Sequence, residues 1–182
     1  MNLKKVSRKL SLVLRHNPSA IDIQLDKNGW TGVDELLKQL SHHGLSISME
    51  SLEEVVSEND KQRFSFNEDK TKIRANQGHS IKVDLEMEDQ APPAILYHGT
   101  ASRFLDSIRE TGLEKRNRQH VHLSKEQQTA TKVGQRHGLP VILLIEAKAM
   151  YDAGHLFYLS KNGVWLTDNV PTDFIKNLEK PN

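Results

Sequence analysis

Val6, Leu10, Val13 and Leu14 recur at i, i+4, i+7 and i+8, the spacing that lines one face of an α-helix. The pattern predicts a first helix that closes at Leu14-Arg15-His16-Asn17-Pro18. Cations there complement the helix dipole, Asn suits the position past the end, and Pro forbids continuation. On a helical wheel Arg15 falls nearly opposite the apolar face, near Arg8, so it points away from the helix's own core. Asn28-Gly29 signals a turn. Val33, Leu36, Leu37 and Leu40 then mark a second helix, with Thr31 and Asp34 read as a capping box. Ser48 is the expected cap of a third helix bearing Leu52, Val55 and Val56. Residues 63–66 (RFSF) alternate like a strand, NEDK turns, and TKIRA (71–75) returns.

Three helices followed by a β-hairpin is the order of a winged-helix-like module, a fold-level analogy. Residues 81–93 read as a connector: the start alternates apolar and charged positions, as an edge strand would, and Pro92-Pro93 forces an extended path. The expected division is therefore a lobe over 1–80, a linker over 81–93 and a second lobe over 94–182. In that second lobe AILYHGT (94–100) is a strand running into Gly99. Ser102 to Gly112 is helical, with Phe104, Leu105 and Ile108 inward. HVHLS (120–124) is a short strand, and Ser124 with Gln127 resembles a capping box for a helix ending near Gly138. VILLIEA (141–147) is a buried strand by its β-branched content. LFYL and VWLT flank Asn162-Gly163, a hairpin signal. The expected fold class is α+β in both lobes.

Composition narrows the chemistry. The 182 residues carry no cysteine, which removes disulfides, thiolate zinc sites and cysteine nucleophiles together. No apolar run approaches the ~20 residues that span a membrane, and no signal-peptide core follows the N-terminus; a cytoplasmic protein is expected. Net charge is +1, so the total says nothing about nucleic acid. The distribution says more: residues 1–16 hold Lys4, Lys5, Arg8, Lys9 and Arg15 with no acid, and 115–125 hold Lys115, Arg116, Arg118 and Lys125 with no acid. Two local basic clusters in a neutral chain suit either an anionic ligand or plain solvated faces.

The sequence lacks the GxxxxGK[ST] phosphate loop, GxGxxG and GxSxG. His120 and His122 share one face of a strand, but a zinc site needs a third ligand and supporting carboxylates, so no metal is expected. The remaining polar clusters are Arg15-His16, IRANQGHS (73–80), YHGT (97–100) and RQHVHLS (118–124). They are rich in Arg, His and small polar residues and contain no carboxylate. Hydrolases working by general acid and base want paired carboxylates; cations without carboxylates suit a phosphate, to which each arginine offers forked N–H donors. Each residue also has an ordinary structural explanation: Arg74 a strand-end cation, Gly78 a turn, His98 a core histidine, Ser124 a helix cap.

LSLVLRHNP, IRANQGHS, LYHGTA, RQHVHLS and NGVWLT, in this order and spacing, resemble the RNA 2′-phosphotransferase family over about residues 7–175. The resemblance implies a winged-helix-like N-lobe, an ADP-ribosyltransferase-like C-lobe of split β-sandwich type, and an active site between them. It implies catalytic roles for Arg15, His16, Arg74 and Arg118. His98, Gly99 and Thr100 would lie on the NAD-binding first strand. His122 would take the place where many ADP-ribosyltransferases put a tyrosine against the nicotinamide ribose, and Val164 stands where most use a glutamate. Leu123, Ser124 and Arg136 would line the NAD pocket. The implied partners are RNA bearing an internal 2′-phosphate, as in tRNA splicing, and NAD as co-substrate, with the enzyme a monomer. The implied reaction passes through a 2′-phospho-ADP-ribosylated RNA and yields 2′-hydroxyl RNA, ADP-ribose 1″,2″-cyclic phosphate and nicotinamide. Two alternatives remain at this stage: a transferase that leaves ADP-ribose on nucleic-acid phosphate ends, and a winged-helix regulator whose C-lobe only senses NAD.

Overall fold

A computed structural model of the chain describes residues 3–58 and 61–177. They fall into two compact units, Met1–Glu86 and Met87–Asn182. The architecture is α+β, with several small antiparallel sheets.

In the first unit helix α1 (Leu3–Arg15) buries the expected stripe Val6, Leu10, Val13 and Leu14. A short 3-10 turn, Pro18–Ile21, follows at the proline. Helices α2 (Val33–His42) and α3 (Met49–Ser57) add Leu36, Leu40, Leu52 and Val55 to the same core. Ser48 caps α3 as expected, its hydroxyl accepting the Ser51 N–H at 3.3 Å. The capping box at Thr31 does not form. Thr31 belongs to a two-residue strand, β1 (Thr31–Gly32), and faces Ile73 of β3 (Lys72–Ala75) across an antiparallel ladder. Gly32 then occupies the cap of α2 with no side-chain bond. The ladder takes the backbone that a cap would have needed, and burial of Thr31 in the sheet offsets the loss. The hairpin strand β2 (Phe64–Phe66) pairs with the other edge of β3, giving the order β1-β3-β2. Alternation along β3 buries Ile73 and Ala75 and turns Arg74 to the opposite face.

In the second unit β4 (Leu96–Ala101) pairs along its full length with β7 (Pro140–Ile145), and β11 (Ile175–Lys176) flanks β7. A second sheet has β6 (Val121–Leu123), β9 (Trp165–Thr167) and β8 (Tyr158–Leu159) in the order β6-β9-β8. β5 (Leu113–Glu114) and β10 (Asn169–Val170) form a two-stranded ladder. The hairpin signal at Asn162-Gly163 is met by the β8–β9 pair, with Gly163 at φ 75° in the connecting loop. Helices α4 (Leu105–Thr111), α5 (Gln127–Gly134) and α6 (Ala147–Asp152) complete the unit. α4 ends at Gly112, φ 75°, where the expected helical stretch closes.

The expected Ser124 cap is a second correction. Glu126 precedes α5, without a side-chain bond, while Ser124 exchanges both backbone bonds with Tyr97 at 2.8 Å. Ser124 thus ties β6 to β4, and a residue so held in extended pairing cannot also start the helix. α5 lies so close on β4 that a Cβ at Gly99 would overlap the Ala130 carbonyl, and one at Gly134 would stand 2.7 Å from the Thr100 carbonyl. Two glycines, one per element, permit this approach.

The segment 81–93 forms no regular strand. Val83 is buried and Asp84 N–H donates to the Lys27 carbonyl at 2.8 Å within the first unit. Asp89 makes a single bridge to Tyr158 and accepts from Tyr151 Oη and Phe157 N–H, each at 3.1 Å, within the second. No helix among the described residues is long and apolar enough to cross a membrane.

Candidate functional site

The end of α1 delivers Arg15 and His16. Arg15 does turn from the core of its own helix, but it is not fully exposed. It is half-buried, donates from Nη2 to the Arg63 carbonyl at 3.4 Å, and lies 5.9 Å from the centre of the Phe64 ring. Gly78, at φ 86°, lies against it: a Cβ there would meet Arg15 Nη1 at 3.6 Å, an ordinary contact, so the backbone conformation rather than space calls for glycine. The next turn of chain grips the helix end. Ser80 N–H donates to the Arg15 carbonyl at 3.0 Å, and Ser80 Oγ is 2.9 Å from His16 Nδ1.

Arg74, on the outer face of β3, stacks its guanidinium 4.4 Å from the centre of the Trp30 ring. Its Nη1 donates to the Asn28 carbonyl at 3.3 Å, while its buried Nε has no partner among the described residues. Stacking on an indole holds a guanidinium plane through its quadrupole attraction and leaves the in-plane donors for a ligand. His79, 1% exposed, packs beneath the same loop, with Nε2 3.6 Å from where a Gly29 Cβ would be. Burial first, then the charges of Arg15, His16 and Arg74, push its pKa down to about 4, so the ring is neutral at pH 7. The Leu14 backbone opposes that shift, though no hydrogen bond closes on either ring nitrogen.

In the second unit the residues form one chain of contacts. Arg118 Nη1 donates to His122 Nδ1 at 2.7 Å. A guanidinium has no acceptor, so His122 Nδ1 supplies the lone pair and Nε2 carries the hydrogen. The His122 carbonyl in turn accepts from His98 Nδ1 at 3.0 Å. A carbonyl only accepts, so neutral His98 keeps its lone pair on Nε2. Burial, aided by Arg118 and His137, holds His98 below the ordinary histidine value against the bond to His122. Arg118 is an exposed residue, yet enough protein surrounds its guanidinium to pull its pKa below the usual arginine value.

The other expected residues divide by environment. Gly99 and Thr100 are buried on β4, Gly99 against the α5 backbone. Leu123 is 1% exposed and packs in the unit's core, so only its backbone is available to a ligand. Ser124 is half-buried, and no hydrogen bond among the described residues engages its hydroxyl. Arg136 is exposed in the 3-10 turn Gln135–His137 after α5, and among the described residues no hydrogen bond or ion pair joins it to His98 or His122. His120 packs against Tyr158 with the rings tilted at 59° and their centres 5.7 Å apart. Among the described residues no three His, Asp or Glu side chains converge as metal ligands.

Sequence reasoning missed Trp30, Asn28 and Ser80 as supports of the cations. Only Ser80 had a local signal, its place inside IRANQGHS; the other two lie more than 40 residues from Arg74 in sequence and meet it through the β1–β3 ladder. Neither Arg74 nor Arg118 forms an ion pair with a carboxylate among the described residues. Their charge is left for an anion.

Comparison with known proteins agrees with this chemistry. The model of the RNA 2′-phosphotransferase, Tpt1 / KptA family matches residues 1–169. Similar proteins include the probable RNA 2′-phosphotransferase of Flavobacterium johnsoniae, 53% identical over 95% of this chain and 95% of that one. The one from Fusobacterium nucleatum is 55% identical over 94% of this chain and 97% of its own. The one from Hahella chejuensis is 53% identical over 97% and 95%. A match of this extent and identity places the chain in the RNA 2′-phosphotransferase, Tpt1 / KptA family of transferase enzymes.

Proposed function

We propose that the enzyme removes an internal 2′-phosphate from RNA by transferring it to NAD, and that Arg15, His16, Arg74 and Arg118 act on that phosphate. The observation that carries this reading is the cation cluster of the first unit: Arg15, His16 and Arg74 held by backbone carbonyls, Trp30 and Ser80. A phosphate monoester is mostly dianionic at neutral pH, so it needs no general base to act as a nucleophile. NAD supplies an electrophilic ribose carbon with nicotinamide as leaving group, and its ribose 2″-hydroxyl then attacks phosphorus, releasing the RNA 2′-oxygen as a hydroxyl. What the chain must do is hold the phosphoryl oxygens while charge accumulates on them, the task to which fixed cations are suited.

The second unit fits the ADP-ribose half. His98 Nε2 offers a lone pair to a ribose hydroxyl, His122 is the member joined to both Arg118 and His98, and Ser124 is the next polar side chain after His122. Leu123 contributes by backbone alone, Gly99 by letting α5 approach, and Thr100 and Arg136 are the weakest members of the set. In this reading the first unit is the winged-helix-like lobe and the second the ADP-ribosyltransferase-like lobe. Three helices with a small sheet in the first unit, and two three-stranded antiparallel sheets with a two-stranded ladder in the second, support that assignment.

The test is product analysis. The protein, a 2′-phosphorylated RNA oligonucleotide and NAD, without added metal, should give 2′-hydroxyl RNA and ADP-ribose 1″,2″-cyclic phosphate by chromatography. Absence of both products would sink the reading. A stable ADP-ribosylated strand end would replace it with terminal ADP-ribosylation.

A further inference from the structure

A histidine that serves a phosphate must present a hydrogen, and a neutral imidazole carries only one. Which nitrogen holds it is decided by the partner of the other. His16 sits at the exposed end of α1 with Nδ1 2.9 Å from Ser80 Oγ. Ser80 is fixed independently of that contact, because its N–H donates to the Arg15 carbonyl at 3.0 Å. The residue before it, His79, is buried under Gly29, and the one before that, Gly78, takes positive φ to lie against the Arg15 guanidinium. The hydroxyl of Ser80 is therefore mounted on a rigid turn that touches both members of the Arg15-His16 pair.

We infer that Ser80 is the positioning residue of His16: its hydroxyl donates to Nδ1, fixes the Nε2–H tautomer, and so aims one N–H donor at the substrate phosphate. The inference rests on His16 being catalytic, as proposed above. A serine hydroxyl rotates to donate or accept, so the bond is available whichever way His16 is protonated. The need for a donor at Nε2 selects the arrangement in which serine donates. Without Ser80 the ring would exchange between tautomers and rotate, and only a fraction of molecules would present the donor.

The experiment has two parts. In the first, single-turnover rates on 2′-phosphorylated RNA are measured for the unaltered chain, Ser80→Ala, Ser80→Thr, His16→Ala and the double variant. Ser80→Ala should lower kcat by about 10-fold with KM for NAD unchanged and no shift in thermal midpoint, since Ser80 is exposed and its backbone bond survives the change. Ser80→Thr should restore most of the rate, and the double variant should be no slower than His16→Ala. In the second, 15N–1H correlation spectra of the free protein should show His16 protonated on Nε2, with Ser80→Ala giving a mixture of tautomers. Normal turnover by Ser80→Ala beside a slow His16→Ala would overturn the inference while leaving His16 catalytic. So would an additive loss in the double variant, or a His16 protonated on Nδ1 alone. Normal turnover by His16→Ala would instead remove the catalytic reading of His16, and this inference with it.

Discussion

Arg118 and Arg74 are held in different ways, and the difference sets what their loss should do. Arg118 touches His122, which is joined through its carbonyl to His98. If Arg118 acts on the phosphate as proposed, Arg118→Ala removes a cation needed most when charge gathers on phosphorus, in the second chemical step. By analogy with a lost oxyanion donor the barrier should rise by roughly 2.7–4 kcal/mol, or about 10²–10³ in rate. The first step should suffer less, so 2′-phospho-ADP-ribosylated RNA should accumulate and be visible on a denaturing gel; equal slowing of both steps would contradict the assignment. Arg74 depends on Trp30 for its plane. Trp30→Ala removes a stack worth about 0.5–2 kcal/mol, which should appear as a 2- to 30-fold fall in kcat/KM for the RNA. Trp30→Phe, which keeps a π face, should recover much of it. If Trp30→Ala turns over normally, the ring is only packing.

At the scale of elements, the tightest constraint is the approach of α5 to β4. Gly99→Ala forces a methyl group into the Ala130 carbonyl, and backbone on both sides leaves little to give way. Overpacking a core ordinarily costs about 1–3 kcal/mol, and this contact belongs at or above the top of that range. Urea unfolding followed at Trp165, in the same unit, should show the drop. A loss below about 1 kcal/mol would mean that α5 can slide. The same element shows what was legible in the sequence. The stripe on α1, the hairpin 64–75 and the strand before Gly99 follow from periodicity, because each is decided by neighbours three or four residues away or by alternation. Thr31 and Ser124 were misread because a capping pattern is local while their true partners, Ile73 and Tyr97, are brought in by tertiary pairing. The candidate site was readable to the same limit. Its cations stand out as clusters lacking carboxylates, whereas Trp30 and the Asn28 carbonyl become supports only once β1 lies against β3.

Over the whole molecule, acid should unfold the chain from a definable place. His79 is 1% exposed and its pKa falls from 6.5 to about 4 in the folded state. A depressed pKa means that the unfolded chain binds the proton more tightly. The stability tied to the neutral ring is therefore complete above pH 6.5 and is lost as pH falls toward 4. A shift of that size corresponds to about 3 kcal/mol across the window, at 1.36 kcal/mol per unit. Glu50 and Asp69 in the same unit also have lowered values, but carboxylates titrate mostly below this range and are untouched by a change at position 79. The two tryptophans separate the units, Trp30 in the first and Trp165 in the second. With Trp165→Phe as background, Trp30 fluorescence reports the unit that holds His79. Its urea midpoint should fall steadily from pH 6.5 to 4, and His79→Gln should flatten that slope while lowering stability at pH 7. His98, also depressed, acts with the same sign in the second unit and should leave its mark on the Trp165 signal instead. If His79→Gln keeps the full acid slope at Trp30, the proton enters elsewhere, and the buried imidazole is not what ties the first unit to neutral pH.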